Sequence, residues 1–335
     1  MSKVDNFQIG KVKYSVIEDL PNDTVRFFID PPKRKPKFLY KFYPLDNYSV
    51  DAFTSNYLFS SHPFLLNDKY DCYEGLIDYS NVDLKFYLNN LITKTRFSNA
   101  KIIQLYNSDQ KIVLERAYSE LSQVRLFTKF GLISLTETYL NPRMWAYYSQ
   151  NKGFTIKINT DLLPDSFYGP FPINYSKKFE KIDFVKYCMS LCILYQTNIK
   201  DSIWKSEKEW RYLTYNRDGN YHPFYFKNDL ESRYSNYKPN AIREIILGYS
   251  FIDPVEIDQD KRTQEYDIIN LDLQTDKSVM DLKSRILRYI TENNIKCSQI
   301  IKYRSKFKLG KKEIKIIKIE PKIFKIHNSF KFIID

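Results

Sequence analysis

Short apolar or alternating runs dominate the chain, broken by polar turns, with fewer stretches at helical spacing. Leu39-Tyr40-Lys41-Phe42-Tyr43, Tyr57 to Ser61, Gly131 to Thr136, Phe154 to Ile158, Trp204 to Thr214 and Ala241 to Leu247 read as strands. Helices are expected over 81–96, 110–124, 179–199 and 279–293. Asn141 can cap a short helix that takes Pro142 in its first turn and ends at Gly153, and Ser278 to Asp281 resembles a capping box. Near the C-terminus, 300–309 and 313–320, joined by Gly310-Lys311-Lys312, read as a basic hairpin, and a last strand is expected over 323–334. Residues 1–37 alternate weakly and end in Pro31-Pro32-Lys33-Arg34-Lys35-Pro36, which predicts an extended arm. Residues 251–280 are polar and read as an insertion. With no clear linker, the expectation is one α+β domain over 38–335. It has a mixed or antiparallel split sheet flanked by helices, with a basic helix and β-hairpin over 281–335.

Composition narrows the class. The 335 residues include 28 Tyr and 24 Phe but only 8 Gly and 14 Pro, so a largely aromatic core is expected rather than disorder or a repeat array. No run of eighteen apolar residues occurs, and the polar start Met1-Ser2-Lys3-Val4-Asp5-Asn6 lacks a signal core. With Cys72, Cys188, Cys192 and Cys297 scattered, a cytoplasmic protein with free thiols and no membrane partner is expected. The net charge of +12 is uneven: 281–335 hold 15 Lys plus Arg against 5 Asp plus Glu. That end suits a polyanion such as nucleic acid, through Lys302, Arg304, Lys306, Lys308, Lys311, Lys312 and Lys315; the alternative is a solvated strand face.

Several chemistries lack their motifs: there is no G-x-G-x-x-G or phosphate loop and no nucleophile elbow. His62, His222 and His327 lie far apart, and Cys188 with Cys192 has no second ligand pair, so no metal site is expected. The suggestive cluster is Glu207-x-Glu209 with Arg211. On one strand these three share a face, with carboxylates about 6–7 Å apart. One can stabilise an oxocarbenium-like transition state while the other orients a nucleophile. The alternative is a surface ladder of ion pairs. Asn67, Asp68 and Asp71 can bind ribose hydroxyls or a cation, or merely fix a turn. Trp145 and Tyr148, within Met144-Trp145-Ala146-Tyr147-Tyr148, can stack on a base or belong to the core.

The order of these segments resembles the bacterial family known as domain of unknown function 2971. The resemblance spans about 38–330: Leu39 to Phe42, Leu58-Phe59-Ser60, Asn67-Asp68 and Asp71, Ser134-Leu135-Thr136, Met144 to Tyr148, Asn151-Lys152-Gly153, Trp204, Glu207 to Arg211, and Ile245 to Gly248. Lys69-Tyr70 stand where the family has Pro-Phe. The glutamate pair also looks like that of ADP-ribosyltransferases. That likeness implies an NAD cleft between two small sheets, with Glu209 as the principal catalytic carboxylate, Glu207 its helper, and Tyr40, Lys41 and Ser60 shaping the NAD site. It further implies a toxin or anti-phage effector that modifies nucleic acid or protein, with a possible protein partner from a defence system. The other readings are a non-catalytic or nuclease-like nucleic-acid-binding component and a partner-binding subunit.

Overall fold

The computed structural model describes residues 2–19, 24–30, 33–63, 66, 68–92, 95–215, 230–261, 263, 265–303 and 308–327; the expectations for Asn67, Arg304, Lys306 and His222 fall outside these. In chain order the strands are β1 (Ser2–Ile9), β2 (Val12–Asp19), β3 (Thr24–Asp30), β4 (Phe38–Tyr43), β5 (Tyr57–Phe59), β6 (Ile77–Asp78), β7 (Phe130–Thr136), β8 (Phe154–Asn159), β9 (Phe167–Pro172) and β10 (Asn174–Ser176). They continue with β11 (Ile182–Asp183), β12 (Ile199–Asp201), β13 (Glu209–Tyr215), β14 (Tyr234–Asn236), β15 (Ile242–Leu247), β16 (Tyr266–Asn270), β17 (Cys297–Lys302), β18 (Leu309–Glu320) and β19 (Ile323–His327). The helices are α1 (Asn47–Thr54), α2 (Leu84–Leu91), α3 (Asn99–Tyr106), α4 (Lys111–Lys129), α5 (Pro142–Ser149), α6 (Met189–Asn198) and α7 (Lys277–Glu292).

The fold is α+β. Ten strands form one mixed sheet in the order β16-β19-β18-β17-β15-β8-β4-β7-β13-β9, in which β15 and β17 run parallel. Within it β4 meets β7 at one residue pair, Tyr40 with Thr136. Side chains alternate across it. One face, with Leu39, Ile133, Ile156, Trp210, Ile245 and Phe324, is sealed by α1 and α7 through Val50, Phe53, Ile286 and Ile290. At its β7–β13 end the opposite face carries Leu132 and Leu213, which pack into a second core with α2, α3, α6 and the β1–β2–β3 meander. Between that core and α5 the sheet face is left open, and the cleft forms there.

The helix starts follow local capping chemistry. Asp46, Asp83, Ser98 and Asn141 each accept a hydrogen bond from a backbone N–H of the first turn of α1, α2, α3 and α5. The α7 cap is Asp276, two residues ahead of the expected Ser278. The α5 helix ends at Gln150, in the left-handed region at φ 50°, and not at Gly153.

Three expectations change. Residues 2–30 are not an arm: β1–β3 form an antiparallel sheet whose Ile9, Tyr14 and Val16 are buried against α6. Weak alternation was the visible trace of a half-buried sheet. Residues 266–270, within the expected insertion, form β16, which pairs with β19 at the sheet edge and buries Ile268 and Ile269. The basic hairpin exists, but Gly310, Lys311 and Lys312 lie inside β18, paired with Ile301, Ile300 and Gln299, and not in its turn.

Tyr14 tests the meander's contribution. It is fully buried, its ring meets Tyr195 edge-on at 5.4 Å, and its hydroxyl accepts from Asn174 at 3.0 Å. Tyr14→Ala should lower unfolding free energy by about 3 kcal/mol or more in urea titration, the cost of emptying an aromatic core site. An arm residue would cost almost nothing.

Candidate functional site

The cleft has a volume of about 230 Å³. Its floor is β4, β7 and β13, which present Tyr40, Ser134, Thr136, Glu209 and Arg211; Met144 and Tyr148 of α5 form one wall. Lys200 of β12, Trp204, Asp68 and Asp71 complete it.

Its base is a buried charge network. The Lys200 ammonium lies 2.8 Å from Glu207 Oε2, 2.9 Å from Glu209 Oε2 and 3.7 Å from Asp71 Oδ2. Arg211 Nε donates to Glu209 Oε1 at 2.7 Å, and its two terminal nitrogens grip both oxygens of Asp71. Arg211 also donates to the Thr197 carbonyl at 2.9 Å. Tyr148 donates its hydroxyl to Glu207 Oε1 at 2.7 Å. With Arg211 only 1% exposed and Lys200 5%, these are not surface ion pairs. Removing one partner of such a network strands the others without water.

Glu207 reaches the network by an unexpected route. It is not on the strand. Residues Ser202–Glu207 form a 3-10 turn, Lys208 adopts φ 48° in the left-handed region, and β13 begins at Glu209. The turn is tied to the sheet by Thr136 Oγ1, which donates to the Glu207 carbonyl at 2.5 Å. The two carboxylates therefore meet because Lys200 draws both in, rather than by strand alternation.

Electrostatics follow from burial. Burial alone would raise the Glu209 carboxyl, but the Arg211 guanidinium and Lys200 ammonium outweigh it and hold it at about 2. Burial would lower Lys200, but Glu209, Asp71 and Glu207 raise it well above its ordinary value. Lys41 lacks such close carboxylates. Burial pulls its amine down to about 8, with partial relief from Glu209, and its Nζ donates to the Ser134 carbonyl at 3.1 Å. Burial raises the Tyr40 phenol to about 12, with Tyr139 and Glu244 adding to the effect. At neutral pH the cleft thus holds an ionised Glu209 and one amine within reach of deprotonation.

Two polar atoms in the lining are buried and without a hydrogen-bond partner: Asp68 Oδ2 and Trp204 Nε1, an acceptor and a donor. A Lys200 ammonium stands where a metal would have to sit among the three carboxylates. Among the described residues no group of His, Cys, Asp or Glu is arranged to hold a metal ion.

Tyr40, Lys41, Asp68, Tyr148, Glu207, Glu209 and Arg211 all line this one cleft. Two expected residues do not. Ser60 is fully buried beneath Gly131, where an added Cβ would come within 2.5 Å of it; its hydroxyl is bonded to Thr214 and Ser235. Its neighbour Ser61 lines the cleft instead. Trp145 is core: its ring meets Phe42 edge-on at 5.0 Å and its Nε1 donates to the Tyr139 carbonyl. Sequence reasoning missed Lys200 and Trp204 as site residues. Nothing local marks Lys200, which follows Gln196-Thr197-Asn198-Ile199 and precedes Asp201. Trp204 entered as part of an expected strand and of the motif order, without a site role.

Comparison of the chain with protein-family models, with curated proteins and with solved structures finds no match. Among the described residues no helix is long and apolar enough to cross a membrane.

Two stability measurements probe the network. Glu209→Gln should cost about 3–5 kcal/mol at pH 7. The folded-state value of about 2 lies below the ordinary 4.5, so this contribution is complete above pH 4.5. It should fade as pH falls toward 2, and wild type and variant should converge there. Lys41 has the opposite sign. Its folded value of about 8 lies below 10.5, so the charged amine costs stability below pH 8. Lys41→Met should be the more stable protein at pH 7 and should lose that advantage between pH 8 and 10.5, read by urea unfolding of both proteins.

Proposed function

We propose that the chain is an ADP-ribosyltransferase-like enzyme that breaks the nicotinamide–ribose bond of NAD in this cleft and passes ADP-ribose to a nucleic-acid or protein target. The observation that carries the reading is that Tyr40, Lys41, Glu207 and Glu209 line one cleft. The motif order that resembles domain of unknown function 2971 and the ADP-ribosyltransferases supports it. Unpartnered Asp68 Oδ2 can accept from a ribose hydroxyl and Trp204 Nε1 can donate to a ligand oxygen or ring nitrogen. Tyr40 and Tyr148 offer aromatic surface.

In this reading the C1′–N bond breaks, nicotinamide leaves with the electron pair, and positive charge develops on the ribose. Glu209, ionised at any pH above about 2, stabilises that charge without accepting a proton. Because Glu207 and Glu209 are both engaged by Lys200, neither is free to act as base. Lys41, near 8, is the group suited to take the proton from the target's nucleophile as its new bond to C1′ forms.

Purified protein incubated with NAD and cell extract should release nicotinamide and label a macromolecule. Glu209→Gln should lower the rate about 100-fold or more. The wild-type rate should rise with pH through about 8, and Lys41→Met should flatten that rise. No nicotinamide release by wild-type protein in the presence of both nucleic acid and protein acceptors would remove the proposal.

A further inference from the structure

A second hollow lies against the cleft and shares its wall. It measures about 210 Å³, and Met144, Trp204 and Glu207 line both. The α5 helix is the partition. Residues four apart share a helix face, so Met144 and Tyr148 turn to the cleft while Arg143 and Tyr147, one position earlier, turn to the outer hollow. The other bank is the 3-10 turn that carries Glu207 into the charge network, and it supplies Ile203 and Ser206. Asn141 Nδ2 donates to the Ser206 carbonyl at 2.9 Å, which fastens the start of α5 to that turn and fixes the two banks against each other.

Packing does not explain this lining. Tyr147 and Ile203 are each 69% exposed although both are bulky. Arg143 is exposed, and its guanidinium makes no ion pair among the described residues. Trp204 Nε1 is buried without an acceptor, while the Lys200 ammonium lies 5.2 Å from the centre of the indole. Charge also separates the two hollows. The cleft carries Asp68, Asp71, Glu207 and Glu209 against Lys41, Lys200 and Arg211. The outer hollow carries Arg143 against Glu207, whose carboxylate Lys200 and Tyr148 already engage. An anionic group therefore belongs in the outer hollow, and a cation or a hydrogen-bond donor in the cleft.

We propose that the outer hollow is a binding site for a nucleoside phosphate. Arg143 meets the phosphate with charge-assisted hydrogen bonds. The Tyr147 ring and the Ile203 side chain give a flat base its apolar surface. Trp204 Nε1 donates to an acceptor on the ligand, and Glu207 accepts from ribose hydroxyls with the lone pairs that Lys200 and Tyr148 leave. A phosphorylated aromatic side chain would satisfy Arg143 and Tyr147 but brings no sugar hydroxyls to Glu207. An inorganic anion would leave Tyr147 and Ile203 bare. The same chemistry has two sources: a free nucleotide, or one half of a dinucleotide whose other half enters the cleft past Trp204. The site goes beyond the reading of the cleft and holds whatever reaction the cleft performs.

The test is isothermal titration calorimetry of the full chain with ADP, adenosine, inorganic phosphate and NAD. ADP should bind, and adenosine and phosphate should each bind about tenfold or more weaker. Arg143→Ala should weaken ADP binding about tenfold or more and Tyr147→Ala about fivefold or more, while Tyr147→Phe, which keeps the ring, should stay within about twofold of wild type. Tyr48→Ala, at a tyrosine of α1 that is 72% exposed, should leave ADP binding unchanged. All three positions are exposed, so circular dichroism should show every variant folded as wild type is. ADP that keeps NAD from binding identifies the dinucleotide half, and NAD that binds the ADP-saturated protein identifies a free nucleotide. Absence of ADP binding at millimolar concentration, phosphate or adenosine binding as well as ADP, or losses in Arg143→Ala and Tyr147→Ala no larger than in Tyr48→Ala would each overturn the site. Nicotinamide release plays no part in these measurements, so failure of the site and failure of the reading of the cleft are told apart.

Discussion

One ammonium group organises this molecule's cleft. Lys200 is shared by Glu207 and Glu209 and lies near Asp71, while Arg211 binds Glu209 and Asp71 from the other side. Each of these charges, buried alone, would cost several kcal/mol. Together they are three carboxylates against two cations, with Lys41 close enough to feel Glu209 as a third. Near-balance lets them remain charged where water is largely excluded. The same balance ties Asp71, from a turn far away in sequence, to Lys200, Glu207 and Arg211, which come from a short strand, a 3-10 turn and the strand next to the sheet edge.

The backbone yields at two places to make this possible. Cys72 and Lys208, next to Asp71 and between the two glutamates, both take positive φ, at 57° and 48°. Neither is glycine, so each conformation costs of order 1 kcal/mol that the surrounding bonds must offset. At Cys72 the carbonyl accepts from Gln196 Nε2 at 2.9 Å. At Lys208 the neighbouring carbonyl of Glu207 is held by Thr136. Strain of this kind, beside an open cleft with unpartnered Asp68 and Trp204 atoms, is where a ligand site is expected.

Much of this was legible in the chain. Strands β4, β7, β8 and β15 follow from short β-rich runs, and Asn141-Pro142 marks the start of α5 because cap chemistry is local. Tyr40, Lys41, Tyr148 and the glutamate pair were legible as one site through motif order. What was hidden depends on tertiary partners. Lys200 has meaning only once Asp71, from a distant segment, and Glu207 and Glu209, seven and nine residues on, surround it, and no local pattern encodes that. Ser60 and Ser61 are neighbours in sequence, and only pairing with β7 decides which faces the cleft. Trp145 and Tyr148 share a short helix, and only the position of the sheet beneath sends one to the core and the other to the site. The β1–β3 meander failed to read as structure because its strands are half exposed and bury only a few side chains against α6.

The cleft is built on a Glu209 carboxylate that Arg211 and Lys200 hold ionised. The most direct measurement is its own titration, followed by carboxyl carbon NMR in protein labelled at glutamate and assigned with the Glu209→Gln variant. The Glu209 signal should stay at its ionised position down to about pH 3 and begin to move only on approach to about 2. A Glu209 signal that titrates near the ordinary 4.5 would contradict it, because the carboxylate would then be a solvated group without the buried cations on which the cleft is built.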